Sequence, residues 1–220
     1  MITRWSDLKL RHEGQTGLVI GNGPSLSSIP LSFLGRYPSI GTNRIYLLEG
    51  FTPTYYVAIN PLVIEQSVEE ISAIECEAKF IRAGLHTLIP DTLPVRSTTL
   101  PIFSRDPSKW VYEGFTVTYV ALQLAFWLGF RTVLLVGVDH NYKFEGQPNE
   151  EHILSGPDPN HFSPKYFQGS RWHNPDLVQS EISYQMAQTV FTTEGRRIIN
   201  ITPGSKLDVF PKEDWRDFDD

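Results

Sequence analysis

Short apolar runs alternate along the chain with longer segments in which apolar residues recur at helical spacing. The short runs are rich in β-branched and aromatic residues and are closed by Gly, Asn or Pro, which is typical of buried strands. The longer segments end at glycine or carry apolar positions three or four residues apart, which indicates helices. The predicted strands are 17–20, 39–42, 54–59, 78–81, 131–136 and 197–201, and the predicted helices are 62–75, 116–128 and 176–193.

This alternation predicts an α/β fold, a Rossmann-like mostly parallel sheet with helices on both faces. Continuous apolar strands such as 133–136 fit, because strands of a parallel sheet are buried on both sides. Residues 141–174 differ, since they are rich in Pro, Gly, His and aromatic residues and have little periodicity. Long irregular insertions often cover a functional site. We therefore expect one Rossmann-like nucleotide-binding domain over residues 1–220, with an irregular lid insertion at about 141–174.

Composition narrows the function classes. The chain has 220 residues, of which 40% are hydrophobic and 12% aromatic, so it can bury a sizeable core and is not disordered. The net charge of −6 disfavours a nucleic-acid partner. The single Cys76 cannot form an internal disulfide, and no apolar run reaches the ~20 residues of a membrane span. A cytoplasmic protein without a transmembrane segment or signal peptide is expected.

The first predicted strand leads into a glycine-rich turn, Gly21-Asn22-Gly23-Pro24-Ser25. In open α/β sheets, ligands bind beyond the carboxyl ends of the strands. Glycines let the backbone approach a phosphate, and a following helix start offers unpaired N–H groups. Leu26 stands where the dinucleotide fingerprint has its third glycine. The turn predicts nucleotide binding or, alternatively, a plain tight turn with Ser25 as a helix cap.

Asparagine ends two further predicted strands, at Asn43 and at Asn60. An amide offers both a donor and an acceptor, so it can bind a base, a ribose or a sugar hydroxyl. A single asparagine in this position more often supports a turn. Together with Asn22 they make three asparagines that would converge on one edge of the sheet. This convergence favours a nucleotide site.

Other candidates for the same edge are Asp139, after the strand 131–136, and the hydroxyls of Thr116 and Thr118 at the start of a helix. Asp139 could bind magnesium, orient a histidine or hold a ribose. Each of these residues could instead cap a helix or order a loop.

The predicted lid carries His152, His161 and His173, and His140 lies at its entrance. No pair of them has the spacing of a compact zinc motif, so no metal site is predicted. A histidine acting as a general base is better motivated, because its pKa lies near working pH. His161 and His173 are the candidates, and either could merely hold the lid in place. A Gly-x-Ser-x-Gly hydrolase motif is absent.

Several of these motifs together resemble two related protein groups over roughly residues 17–210. The motifs are GNGPSL at 21–26, the strand-end asparagines, LGF at 128–130 and VGVD at 136–139. One group is the bacterial sialyltransferases that use CMP-sialic acid. The other is the MptE-like family, named for an archaeal 6-hydroxymethylpterin diphosphokinase, which HFSPKYF at 161–167 and NITPGS at 200–205 resemble more closely.

The resemblance to the sialyltransferases implies a glycosyltransferase-like enzyme. It would transfer a sugar from a nucleotide-activated, CMP-linked donor to a cell-surface glycan precursor, without a metal or other cofactor. The residues Gly21, Asn22, Gly23, Ser25, Asn43, Asn60, Thr116, Thr118 and Asp139 would bind the donor. His161 or His173 would deprotonate the acceptor, and Tyr166 would assist departure of the phosphate. The sequence leaves a homo-oligomer open.

The resemblance to the diphosphokinase implies ATP and magnesium as partners and a hydroxymethylpterin as acceptor of the diphosphate. That pattern tends to place Asp after the third strand, where this chain has Asn60. A neutral amide is a poor sole ligand for magnesium, which weakens this alternative. A third interpretation is a non-catalytic nucleotide-binding module, because a fold can persist without its chemistry.

Overall fold

The computed structural model describes residues 1–219 and contains a seven-stranded, all-parallel sheet. This confirms the predicted Rossmann-like α/β fold. The strands of this sheet are β1 Thr16–Ile20, β2 Ser39–Thr42, β3 Tyr55–Ala58, β4 Ala78–Arg82, β5 Thr92–Val95, β8 Thr132–Val136 and β11 Arg197–Asn200. Two small sheets pair β6 Ser97–Thr98 with β7 Val111–Tyr112 and β9 Glu151–Ile153 with β10 Arg171–His173.

The strand order β11-β8-β1-β2-β3-β4-β5 reverses direction at β1. The chain runs outward from β1 to β5 and then returns to place β8 on the other side of β1. A crevice opens beyond the carboxyl ends of the strands at such a switch point. The Gly21–Gly23 turn after β1 and the 137–139 segment after β8 therefore lie side by side.

Helices cover both faces of the sheet, as predicted. They are α1 Leu31–Leu34, α2 Pro61–Glu65, α3 Val68–Ala73, α4 Val117–Leu128 and α5 Leu177–Thr193. Side chains of α4 and α5 pack in one core cluster, and side chains of α1, α2 and α3 pack in the cluster on the opposite face.

The start of each long helix, and the end of α4, is marked by a capping residue. The side chain of Thr116 accepts a hydrogen bond from the Thr118 amide at the start of α4, and Gly129 follows α4 in the left-handed conformation at φ 93°. Asp176 caps α5 by accepting from the Gln179 amide. Because these signals are local in sequence, the predicted bounds of both helices are confirmed to within one residue.

The predicted helix 62–75 is wrong as a single element, because the chain leaves the helix at Gln66 and Ser67. The Gln66 side-chain amide donates to the carbonyls of Leu62 and Arg171, and its oxygen accepts from the Arg171 amide. The break thus lets Gln66 pair with the backbone of β10. Strand β5 was not predicted; its Pro94 is tolerated because β5 lies at the sheet edge.

The lid, residues 141–174, lies over the carboxyl edge of the sheet. Its β9–β10 hairpin is regular structure that the pattern did not predict. The Phe162 amide donates to the Asn22 carbonyl at 2.9 Å, and the Ser27 hydroxyl donates to the Phe162 carbonyl. These bonds join the lid to the turn after β1. Within residues 1–219, no helix has both the length and the apolar character needed to span a membrane.

Candidate functional site

A cavity of about 880 Å³ lies between the carboxyl edge of the sheet and the lid. A volume of this size suits a small-molecule ligand. All but one of the predicted site residues line it: Gly21, Asn22, Gly23, Asn43, Asn60, Thr116, Thr118, Asp139, His161, Tyr166 and His173. The exception is Ser25. The residues that the sequence singled out at scattered positions are therefore brought together around one space.

The glycines of the first turn make room for the neighbouring loop. A Cβ atom on Gly21 would lie 2.5 Å from the Gly137 carbonyl oxygen, and one on Gly23 would lie 1.9 Å from Oδ2 of Asp139. Both distances are far below van der Waals contact. Close packing of the loops after β1 and β8 thus explains these glycines without a phosphate.

The Asp139 side chain lies against the start of the short 3-10 helix Pro24–Ser28. Its two carboxylate oxygens accept hydrogen bonds from the Ser25 amide at 3.0 Å and the Ser25 hydroxyl at 2.7 Å. Burial raises the pKa of Asp139 above its ordinary value, although the bonds from Ser25 act in the opposite direction. Ser25 therefore stabilises a carboxylate rather than facing the cavity.

The Asn22 side chain is buried and fixed in orientation. Its amide nitrogen donates to the Thr42 carbonyl at 3.0 Å and to the Thr42 hydroxyl at 2.9 Å. A carbonyl oxygen can only accept, so the amide nitrogen must face Thr42. The Asn22 Oδ1 atom is left buried without a hydrogen-bond partner. An unpaired buried acceptor is costly, and a hydroxyl or amino group of a ligand would satisfy it.

Asn43 and Asn60 present complementary groups. Asn43 lies in the left-handed region at φ 47°, and its Oδ1 atom is also buried without a partner. The Asn60 Oδ1 atom accepts from the Leu62 amide and so caps α2, which leaves the Asn60 amide nitrogen as the group available to a ligand. The site therefore offers two acceptors and one donor from three strand ends.

His161 is held in the lid by a buried carboxylate. Its Nδ1 atom lies 2.8 Å from Oδ2 of Asp158, and the two side chains are only 9% and 2% exposed. The imidazole stacks on the Tyr166 ring at 3.9 Å and contacts the edge of Phe167. An Asp bound at Nδ1 directs the lone pair of a neutral imidazole to Nε2, the arrangement of a general base.

Tyr166 is fully buried beneath this imidazole. Its hydroxyl accepts from the Arg44 amide at 3.1 Å, and burial raises the pKa of Tyr166 well above its ordinary value. The phenol therefore stays protonated. The residue supplies an aromatic support for His161, and its predicted role toward a phosphate stays a prediction.

The other lid histidines have looser surroundings. His173, in β10, lies 3.5 Å from Glu151, and both side chains are about two-fifths exposed. The Asn174 amide nitrogen donates to Nε2 of His152 inside the lid. His140 lines the cavity, is buried, and pairs with Glu181 at 2.9 Å.

Two features of the site were missed from the sequence. Asp158 stands in an irregular segment, where its spacing of three from His161 carries no structural meaning by itself. The Arg82–Glu113 ion pair also lines the cavity, with Arg82 at the end of β4. The rule that ligands bind at the carboxyl ends of strands could have identified Arg82, as it did the asparagines.

The described side chains form no preassembled metal cluster. Across the described residues 1–219, no three or more His, Cys, Asp or Glu side chains are grouped to hold an ion. Both oxygens of Asp139, the carboxylate closest to the glycine turn, are engaged by Ser25.

Comparisons with known proteins identify a similar fold. No family model and no curated protein matches the sequence. The structure resembles that of the sialyltransferase CstII from Campylobacter jejuni in complex with cytidine-5'-monophosphate, with a TM-score of 0.52 and 15% identity over 91% of this chain and 85% of that one. A second structure of the same enzyme, with CMP-3FNeuAc, gives a TM-score of 0.51 and 15% identity over 90% and 84% of the chains. At this identity the similarity establishes the shared fold.

Proposed function

We propose that this chain is a glycosyltransferase-like enzyme that transfers a sugar from a CMP-linked donor to a hydroxyl of a cell-surface glycan precursor. The observation that carries the proposal is His161, which lines the same cavity as Asn22, Asn43 and Asn60 and is paired with the buried carboxylate of Asp158. The fold shared with an enzyme whose structure holds a cytidine nucleotide supports it.

The unpaired polar atoms suit a nucleoside. The Oδ1 atoms of Asn22 and Asn43 require donors, and a cytosine amino group or ribose hydroxyls supply them. The free amide nitrogen of Asn60 suits a carbonyl or phosphate oxygen. These contacts would hold the donor at the switch point of the sheet.

His161 would act as the general base. Its Nε2 atom takes the proton of the acceptor hydroxyl while the oxygen forms a bond to the anomeric carbon of the sugar. The bond from that carbon to the phosphate oxygen breaks, and the nucleotide leaves with the electron pair. Asp158 fixes the imidazole and stabilises the imidazolium that forms.

The diphosphokinase alternative requires magnesium, and the site residues fit it poorly. Asn60 replaces the expected carboxylate, and Asp139 is engaged by Ser25. The non-catalytic alternative gives the buried His161–Asp158 pair only the structural role of holding the lid together.

Calorimetry with CMP, CDP, ATP and GTP, each with and without magnesium, tests the donor class. We expect a cytidine nucleotide to bind without magnesium, and Asn22→Ala to weaken that binding by about tenfold, since one or two hydrogen bonds are lost. Binding of ATP alone, and only with magnesium, would contradict the proposal and favour the diphosphokinase.

A transfer assay in EDTA tests catalysis. Turnover that persists in EDTA and collapses in His161→Ala supports the proposal, and His86→Ala, a histidine outside the cavity, is the control. Cytidine nucleotide binding with no turnover, unaffected by His161→Ala, would identify a binding module.

A further inference from the structure

The cavity extends well beyond the switch point. It reaches the last residue of β4, Arg82, three strands away from β1. Because neighbouring strands lie ~4.8 Å apart, the ends of β1 and β4 are separated by about 14 Å. A nucleotide at Asn22 would therefore leave the β4 end of the cavity to another part of the substrates.

Arg82 gives this end a distinct chemistry. Among the lining residues, all within 1–219, it is the single Lys or Arg. Its Nη1 atom donates to Oε1 of Glu113 at 2.6 Å and to the Ile59 carbonyl at 3.3 Å. Within residues 1–219 its Nη2 and Nε groups have no hydrogen-bond partner, and about a third of the side chain is exposed. The Nη2–Nε edge of the guanidinium is thus available to a ligand.

We propose that Arg82 is the recognition site for a carboxylate on a sugar that occupies the β4 end of the cavity. The inference rests on the proposed function, because it takes the nucleotide to lie at the other end. A guanidinium fork matches the two oxygens of a carboxylate and binds them through two charge-assisted hydrogen bonds.

Glu113 is an internal counter-charge in this proposal. Its carboxylate neutralises Arg82 and holds the guanidinium in a fixed position, while the Ser97 hydroxyl donates to the same Oε1 atom. A substrate carboxylate would bind the free Nη2–Nε edge. Glu113 opposes that binding by its like charge, so removal of its charge should strengthen it.

Arginine-selective ¹⁵N NMR tests the proposal directly. The protein is titrated with methyl β-glucuronide and with methyl β-glucoside, which differ in the carboxylate, with and without CMP. We expect the Arg82 Nε signal, assigned by its loss in Arg82→Gln, to shift with the glucuronide alone. Shifts with both sugars, or with neither, would overturn the proposal.

Two variants test the proposal independently, because it predicts opposite changes in glucuronide affinity. Arg82→Gln should weaken glucuronide binding at least about tenfold, and Glu113→Gln, which keeps the acceptor for Ser97, should strengthen it. The matched control is Arg105→Gln, which removes an exposed pair with Glu194 outside the cavity. Weakening in both cavity variants would show a purely structural ion pair. The NMR result does not require turnover, so it is separable from failure of the transferase proposal.

The transfer assay distinguishes the source of the carboxylate. A rise in donor KM in Arg82→Gln, at unchanged acceptor KM, assigns the carboxylate to the transferred sugar. A rise in acceptor KM at unchanged donor KM assigns the carboxylate to the acceptor.

Discussion

Two of the histidine–carboxylate pairs in the lid have opposite surroundings. In its inner segment, 158–167, His161 and Asp158 are 9% and 2% exposed and 2.8 Å apart. In the outer hairpin of β9 and β10, His173 and Glu151 are 39% and 44% exposed and 3.5 Å apart. Exposed pairs are screened by water and contribute little, whereas a buried carboxylate fixes its partner firmly. Burial and partner, rather than residue type, separate a candidate base from a surface histidine.

The inner segment owes its order to packing. Tyr166, Phe167 and Trp172 form a small aromatic core with Val63 of α2, and Tyr166 also supports His161. The outer hairpin pairs only three residues on each side, and it is attached to the body by Gln66 and by Trp172 of β10, which packs in the same aromatic core. His173 and Glu151 lie outside that core and stay exposed, so the two pairs differ in how firmly a reacting group would be held.

The largest expected effect separates the two histidines. His161→Ala should lower turnover by ~10²–10⁴-fold, the usual loss for a general base, while His173→Ala should change it only a few-fold. Steady-state transfer rates measure this, with thermal unfolding to confirm that both variants fold. A collapse in His173→Ala with His161→Ala active would reverse the assignment of the two pairs.

Asp158→Asn should lower turnover by about 10- to 100-fold, less than loss of the base itself, because the imidazole loses its orientation and its counter-charge. The asparagine oxygen can still accept from the Asn160 amide, so the local turn should persist. The matched change Glu151→Gln should leave the rate unchanged. Equal rates for wild type and Asp158→Asn would show that burial of the pair has no catalytic consequence.

Tyr166→Phe keeps the ring beneath His161 and removes only the hydroxyl. We expect a loss of about 1–3 kcal/mol in the free energy of unfolding, because the buried Arg44 amide loses its acceptor. Turnover should fall only a few-fold. A loss of turnover by orders of magnitude in a folded variant would instead support the predicted role of the hydroxyl toward the phosphate.

The smallest effect concerns Asp139. Asp139→Asn should keep turnover within about fivefold, since no step requires its charge. Because the pKa of Asp139 is raised by folding, the folded protein retains this proton longer than the unfolded chain. The stability of the wild type relative to Asp139→Asn should therefore fall as pH rises from the ordinary Asp value through the raised one. Denaturant titrations across that acid range measure it, and a rise would contradict the assigned direction.

Local patterns predicted the elements whose signals are local. The apolar strand 132–136, the cap at Thr116 and the end of α4 at Gly129 all follow from neighbouring residues. The convergence of Asn22, Asn43 and Asn60 on one cavity followed from the topology of a parallel sheet.

The remainder depended on contacts between distant parts of the chain. Gly21 has no side chain that would prevent Gly137 from packing against it, and no turn pattern reveals this contact. The break at Gln66 depends on the backbone of Arg171, 105 residues later. Asp158 acquires its role only because the lid folds its neighbourhood into a buried core.

The contact between Phe162 and the first turn is made by main-chain groups, with the Phe162 amide bound to the Asn22 carbonyl. A main-chain hydrogen bond of this kind does not require a particular side chain at residue 162, so it can persist when the surrounding sequence changes. Proline is the substitution that must cut it, because it has no amide hydrogen. This attachment of the lid therefore does not depend on which side chain position 162 carries.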